Sequence, residues 1–266
     1  MKNESRTLFI PLYGKAMMSL DGFWQDKTAE EIVAKNYDYL KTVDKSKRLA
    51  IYMTMRAMQY DSFAADFIDR NPEAIVVHLG CGLDSRIVRV NHKAKHWYDL
   101  DFPEVISFRE IYYKETDNYT MLRSSATDFS WTEQIQYNGE PMLVIAEGLT
   151  MYLTEKEIRT LTELFSEKFG SVTFIFDAYS SFAAKASKVK NPINSVDAKI
   201  SFFMDDEKLF HNPDKNVFFT ETRNIILDEY IGKLKWVYKL RFKFMKKFGS
   251  KMYRIYVYKC GKGTDK

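Results

Sequence analysis

A short apolar run that ends in a glycine turn constrains this chain more than any other feature. Ala74-Ile75-Val76-Val77-His78-Leu79 is rich in β-branched residues and leads straight into Gly80-Cys81-Gly82. Such a run predicts a strand buried on both faces, followed by a turn at the edge of a parallel sheet. Four more candidate strands follow at regular intervals: His96 to Asp101, Thr120 to Ser124, Met142 to Ala146 and Val172 to Asp177. Helix-compatible stretches separate them, among them Pro103 to Thr116 and Thr154 to Phe169, where Thr154 and Glu157 have capping-box spacing. Strands alternating with helices predict a mostly parallel α/β sheet with right-handed crossovers.

The flanks complete the outline. Residues 28–70 predict helix, with Ile51, Met55, Met58, Phe63 and Phe67 at helical spacing until Asn71-Pro72 stops the run. Residues 180–231 show mixed signals and no obvious strand, as expected of an insertion. Trp236 to Phe244 and Met252 to Cys260 then read as two strands joined around Lys247-Phe248-Gly249-Ser250, an antiparallel hairpin. The 266 residues suit one domain. Its expected parts are a helical cap over 1–70, a ligand-binding core over 74–179, a lid over 180–231 and the terminal hairpin over 232–260. A parallel sheet finished by a hairpin resembles the Rossmann-like outline of class I methyltransferases.

Composition narrows the partners. Forty basic side chains against 36 acidic leave a net charge of +4, too balanced to require nucleic acid. Nine basic residues do fall between Lys233 and Arg254. Read as a strand, Lys239, Arg241 and Lys243 alternate with Leu240, Phe242 and Phe244, giving one wet face rather than a nucleic-acid surface. Cys81 and Cys260 make no disulfide framework, and the four histidines make no metal-ligand spacing, so no metal is expected. No stretch approaches the ~20 apolar residues of a membrane span, and no secretory pattern opens the chain. A soluble cytoplasmic protein without a membrane partner is the expectation.

Three places can carry chemistry. Gly80-Cys81-Gly82-Leu83-Asp84-Ser85 lies where an open α/β sheet places its ligand, although Ser85 stands in place of the third glycine of a dinucleotide fingerprint. Asp99 and Asp101 end the second strand about 20 residues on, the distance at which a ribose acceptor sits; an acidic cap for the helix after Pro103 reads the same way. Glu147 emerges from the fourth strand within Ala146-Glu147-Gly148-Leu149-Thr150-Met151-Tyr152, either toward a ligand or as an acceptor for its own loop.

Taken together, Gly80 to Arg86, Asp99-Leu100-Asp101-Phe102-Pro103, Asp128-Phe129-Ser130-Trp131 and Glu147 to Tyr152 resemble the leucine carboxyl methyltransferase family. The resemblance is strongest to its bacterial branch of polyketide-synthesis O-methyltransferases, and it extends to Leu8-Phe9-Ile10-Pro11-Leu12-Tyr13-Gly14-Lys15-Ala16. It implies S-adenosylmethionine as cofactor and S-adenosylhomocysteine as product. By position it implies Arg56, with Lys15, at the cofactor carboxylate, and the backbone of Gly80, Cys81 and Gly82 against its methionine part. Asp101 would accept from the ribose hydroxyls, Ser125 and Ala126 would border adenine, and Glu147 would face the amino group. The eukaryotic branch has Asp-Leu where this chain has Ser125-Ala126.

Glu147 and Tyr152 are expected to position the reactants, with no conventional catalytic set. A carboxylate acceptor, ionised at neutral pH, needs no base, whereas a phenol near ~10 does. No His-Asp pair stands out, and His78 reads as structural. A small-molecule acceptor with a carboxylate or a phenol is therefore expected. Residues Phe182, Phe202, Phe203, Met204 and Phe210, with Met17, Met18, Phe23 and Trp24 opposite, are candidate pocket lining. The alternatives are methylation of a protein C-terminal carboxylate, a binding protein without turnover, and a nicotinamide-dependent oxidoreductase. The missing third glycine and lack of a hydride-transfer set argue against the last.

Overall fold

The computed structural model describes residues 8–36, 45–90, 94–183 and 200–264. Three helices open the chain: α1 (Phe9–Leu20), α2 (Lys27–Lys35) and α3 (Lys47–Arg70). The alternating region follows as β1 (Ile75–Leu79), α4 (Arg86–Arg89), β2 (His96–Asp101), α5 (Pro103–Arg109), β3 (Tyr119–Arg123), β4 (Met142–Ala146), α6 (Glu155–Lys168) and β5 (Val172–Tyr179). The last part is β6 (Val217–Asn224), α7 (Asp228–Lys233), α8 (Trp236–Gly249) and β7 (Tyr253–Cys260).

The seven strands make one sheet in the order β3-β2-β1-β4-β5-β7-β6. β1 pairs in parallel with both β2 and β4, while β7 runs antiparallel to β5 and β6. This is the Rossmann-like class I methyltransferase sheet, mostly parallel with antiparallel strands at its C-terminal side. The chain leaves β1 toward β2 and later returns to β4 on its other side. A crevice therefore opens at the carboxyl ends of β1, β2 and β4, where such sheets take ligands.

Alternation along the strands builds two cores. Val76, Leu143, Ile145, Ile175 and Val257 face the layer of α1 and α3. Val77, Leu79, Val144, Phe174 and Phe176 face α6, where Phe165, Phe174 and Phe176 stack in series. The predicted capping box is formed: Thr154 accepts from the Glu157 amide, and Glu157 accepts from the Thr154 amide. Thr154→Ala should lower stability by about 1 kcal/mol, read as a shifted urea midpoint with an unchanged slope.

Two expectations fail in the last third. Trp236 to Phe244 is not a strand but the first part of helix α8. Tyr238, Phe242 and Met245 recur at four- and three-residue steps and pack against the α1–α3 core, with Phe242 fully buried. With outward Trp236, Leu240 and Phe244 falling between them, every second residue from 236 to 244 is apolar, which is why the stretch imitates a strand. Nor are residues 180–231 free of strand, because Val217–Asn224 pairs with β7 as the edge of the sheet. Its pattern is blurred by half-exposure and by an irregularity between Phe219 and Glu221. The helix after Pro103 also ends at Arg109 rather than running to Thr116.

The candidate pocket-lining residues separate: Phe182 and Met204 border a cavity with Asp205, Arg254 and Tyr256. Phe202, Met204 and Phe210 are buried in the α6-side core, with Phe210 against Phe176 and Tyr258. Phe182 is exposed and Phe203 half-buried. On the opposite side Met17, Met18 and Phe23 pack into the other core. Trp24 lies instead over the Arg89 guanidinium, 4.5 Å from it. Residues 184–199 of the expected lid lie outside the described residues.

Candidate functional site

The glycine loop after β1 joins the two halves of the crevice. Gly80 has φ +63°, and a Cβ there would meet the Leu149 side chain at 3.1 Å, so its backbone comes close to the loop after β4. Two residues on, the Gly82 amide donates to Asp101 Oδ2 at 2.8 Å, at the end of β2. Cys81 is buried, its amide donating to the Leu100 carbonyl. Burial pushes its thiol pKa up, so it acts here as packing rather than as a nucleophile.

The two candidate acids of β2 part company. Asp99 is sealed inside the structure, accepting from Trp97 Nε1, the Tyr119 hydroxyl and Arg109. Burial opposes its charge, but Arg109 outweighs that and holds its pKa down at about 2. Arg109 also donates to the carbonyls of Gly82 and Asp84, at 3.1 and 2.7 Å, and so braces the glycine loop from behind. Asp101 sits at the strand's end with no salt bridge among the described residues. Its oxygens accept from the Gly82 and Phe102 amides, and burial raises its pKa. Ser124 follows Asp101 in space through its amide bond to the Asp101 carbonyl, and Ser125 and Ala126 come next in the same loop.

At the other half, Glu147 leaves β4 between two arginines. Arg56 Nε donates to Oε1 at 2.8 Å, and Arg86 Nη2 donates to Oε2. Burial would raise the Glu147 pKa, but Arg56 and then Arg86 override it and bring it to about 2. Arg56 Nη1 also donates to the Tyr253 hydroxyl at 2.8 Å and lies 3.4 Å from Asp177. Its Nη2 packs against Gly148, where a Cβ would stand 3.1 Å away, so glycine is required for that approach. Asp177 accepts from the Gly148 amide and from Tyr253, and burial raises its pKa.

Lys15 comes from α1 to pair with Asp84 of the glycine loop. Asp84 also meets Arg89, and Arg86 and Arg89 share Asp61. The structure thus brings Lys15, Arg56, the glycine loop, Asp101 and Glu147 together at the carboxyl ends of β1, β2 and β4. Tyr152 is half-buried beside them, its pKa raised by burial.

Sequence reasoning missed several members. Arg86, Asp177 and Tyr253 contact Glu147 or Arg56 directly, and Asp61 holds Arg86. Asp177 carried a usable signal, since it ends an apolar strand just as Glu147 follows one. Tyr253 carried none, being one aromatic among many. His78 lies 3.5 Å from Asp99 and 3.1 Å from Arg86, a His-Asp proximity invisible in sequence. It is buried at 2% exposure, and among the described residues its Nδ1 has no hydrogen-bond partner.

The buried acids give a signed pH dependence. Asp99 and Glu147 have depressed pKa values, so their contributions are complete above about pH 4.5 and are lost as pH falls toward about 2. Each corresponds to roughly 2–3 kcal/mol. Asp101 and Asp177, with raised values, act oppositely and favour the fold as they take up protons. Urea midpoints should therefore change little from neutrality to about pH 4.5 and fall steeply below it.

The donor set suits a zwitterionic nucleoside. Arg56 offers a cation at one end, Asp101 a carboxylate at the other, and the glycine backbone lies between. Among the described residues Gln59 Nε2 and Tyr60 Oη, three and four positions beyond Arg56 on α3, are buried without a hydrogen-bond partner and leave polar capacity on its side of the helix. Comparison with known sequences agrees with this geometry. The profile described as Leucine carboxyl methyltransferase matches residues 2–166. This chain belongs to the leucine carboxyl methyltransferase family.

Two curated relatives sharpen the family's reach. The chain is 34% identical over 177 residues to the tetracenomycin polyketide synthesis O-methyltransferase TcmP of Streptomyces glaucescens. That match takes in 65% of this chain and 64% of the relative, so it spans under two thirds of the relative's length. It is 26% identical over 264 residues to the S-adenosyl-L-methionine-dependent methyltransferase dpfgK of Gibberella zeae, covering 89% of this chain and 88% of that one.

Solved structures match the fold. A DUF574 family protein from Streptomyces avermitilis superposes with a TM-score of 0.59 at 7% identity, covering 89% of this chain and 90% of that one. Magnesium protoporphyrin IX methyltransferase from Synechocystis, solved with bound SAH, gives a TM-score of 0.51 at 11% identity, with 89% of this chain and all of that one covered.

Proposed function

We propose that the protein is an S-adenosylmethionine-dependent O-methyltransferase acting on a carboxylate, or a phenolic hydroxyl, of a polyketide-like small molecule. The observation that carries the reading is Glu147 and Arg56 joined at the carboxyl end of β4, across the glycine loop from Asp101. In this reading Arg56 and Lys15 hold the cofactor carboxylate and Glu147 faces its amino group. Asp101 accepts the ribose hydroxyls, Gly80, Cys81 and Gly82 line the methionine part, and Ser125 and Ala126 border adenine. The bound cofactor supplies a methyl group already activated by its sulfonium.

What remains for the chain is alignment, which is worth several kcal/mol. Arg86 and Asp61 fix Glu147, while Tyr253 and Asp177 fix Arg56. Tyr152 borders the same place and is proposed to help set the acceptor. The acceptor oxygen is expected to arrive ionised or to lose its proton to solvent, because the one His-Asp proximity among the described residues is enclosed. That favours a carboxylate over a phenol. Related names support a small-molecule acceptor over a protein C-terminus, since TcmP is named for polyketide synthesis.

The test uses S-adenosylmethionine labelled in its methyl group with panels of carboxylic acids and phenols. Label that appears in product and is released as methanol by mild base marks a methyl ester. Base-stable label marks an aryl ether. Transfer only to peptides ending in a free carboxylate would replace the small-molecule reading, and cofactor binding without transfer to any of these would reduce the protein to a binder.

A further inference from the structure

We propose that helix α8 is a membrane-docking element whose outward face seats on a bilayer surface carrying anionic lipids. As a strand, this stretch would put Trp236, Leu240, Phe242 and Phe244 on one face and Lys239, Arg241 and Lys243 on the other. As a helix it turns Phe242 inward and leaves the other three outside. At about 100° per residue, Trp236, Leu240 and Phe244 rise on successive turns with Val237 beside them. They are 79%, 74%, 65% and 56% exposed, while Phe242 on the far side is fully buried. This is an outward apolar ridge, distinct from the ordinary arrangement in which only the inward face is apolar.

Charge decides what covers the ridge. Lys239 and Lys243 line one flank of α8 with Lys246, which pairs with Asp228; Arg241 lies on the other flank, and exposed Lys247 closes the crest at its C-terminal end. Between Glu229 and Asp265 the chain has no acidic residue. Apolar crest with cationic flanks is the pattern of helices that lie in the lipid headgroup plane, where long basic side chains bury their stems and reach the phosphates. The 14-residue helix is about 21 Å long. That is too short to span a bilayer core of about 30 Å, and no helix among the described residues is long and apolar enough to cross.

Other occupants fit less well. A second copy would bring two basic faces together. A nucleic acid would meet aliphatic Leu240 and Val237 at the crest, where its phosphates need cations. At its C-terminal end α8 borders a crevice with Tyr52, Ile226 and Tyr253, the last of which holds Arg56. Docking would therefore set the bilayer on an element that adjoins the site.

The experiment is sedimentation of the whole protein with phosphatidylcholine vesicles, with and without phosphatidylserine, alongside tryptophan fluorescence. Of the four tryptophans, Trp97 and Trp131 are buried and Trp24 is half-buried, so an emission shift on binding reports Trp236. The expected result is binding to the anionic vesicles alone, weakened by salt, with a blue shift that Trp236→Phe removes. Leu240→Glu with Phe244→Glu should weaken binding about tenfold or more, and Lys239→Glu with Lys243→Glu should also weaken it. Circular dichroism and urea midpoints establish that the variants fold, and the wild-type emission shift stands independently of them. Failure to bind anionic vesicles at low salt would overturn the proposal. So would binding that leaves emission unchanged and is displaced by an oligonucleotide, the mark of a general polyanion surface. Self-association through α8 without vesicle binding would assign the ridge to a second copy instead.

Discussion

Arg56→Met will abolish measurable cofactor binding and lower stability by about 3–5 kcal/mol. The guanidinium is 5% exposed and serves three partners, Glu147, Tyr253 and Asp177. Its removal leaves Asp177 with only neutral donors and halves the charge balance of Glu147. Arg56→Lys restores a charge but not the fork that reaches Glu147 and Tyr253 together. It should therefore recover part of the stability and little of the affinity. Urea denaturation and calorimetric titration with S-adenosylhomocysteine separate the two effects. Affinity unchanged in a folded Arg56→Met protein would remove Arg56 from the site.

Arg109→Met should destabilise by a similar amount, about 3–5 kcal/mol, although its side chain carries no role at the crevice itself. It would strand Asp99 as a buried charge and release the carbonyls of Gly82 and Asp84. Adding Asp99→Asn removes the stranded charge; its amide oxygen can accept from Trp97 while its amide nitrogen donates to the Tyr119 hydroxyl, so the double variant should recover about half of the stability. Its affinity for S-adenosylhomocysteine should stay reduced, because the loop remains unbraced. Recovery of both together would show that Arg109 acts only through Asp99.

Legibility in the sequence follows burial. Strands β1, β2 and β4 are covered on both faces, so their apolar runs and glycine punctuation stand out. Edge strand β6 is half-exposed and irregular, and its pattern dissolves. Helix α8 misled because a helix apolar on both its inward and outward faces carries enough hydrophobic residues to imitate alternation over nine positions. Among the site residues, Gly80, Asp101 and Glu147 are readable because each sits at a strand's carboxyl end. Arg56 emerged through family resemblance alone, since nothing local marks it off from a solvated helix arginine. Arg86, Asp61 and Tyr253 matter through contacts between elements distant in sequence, which no local pattern encodes.

The central claim is that the crevice between Asp101 and Glu147 is built for the cofactor of this family. Calorimetric titration of the purified protein with S-adenosylhomocysteine, with NADH as control, addresses it most directly. The account predicts saturable binding of the nucleoside, none of NADH, and loss of binding in Asp101→Ala with the fold intact. A folded protein that ignores S-adenosylhomocysteine, or binds it equally well without Asp101, would contradict the account.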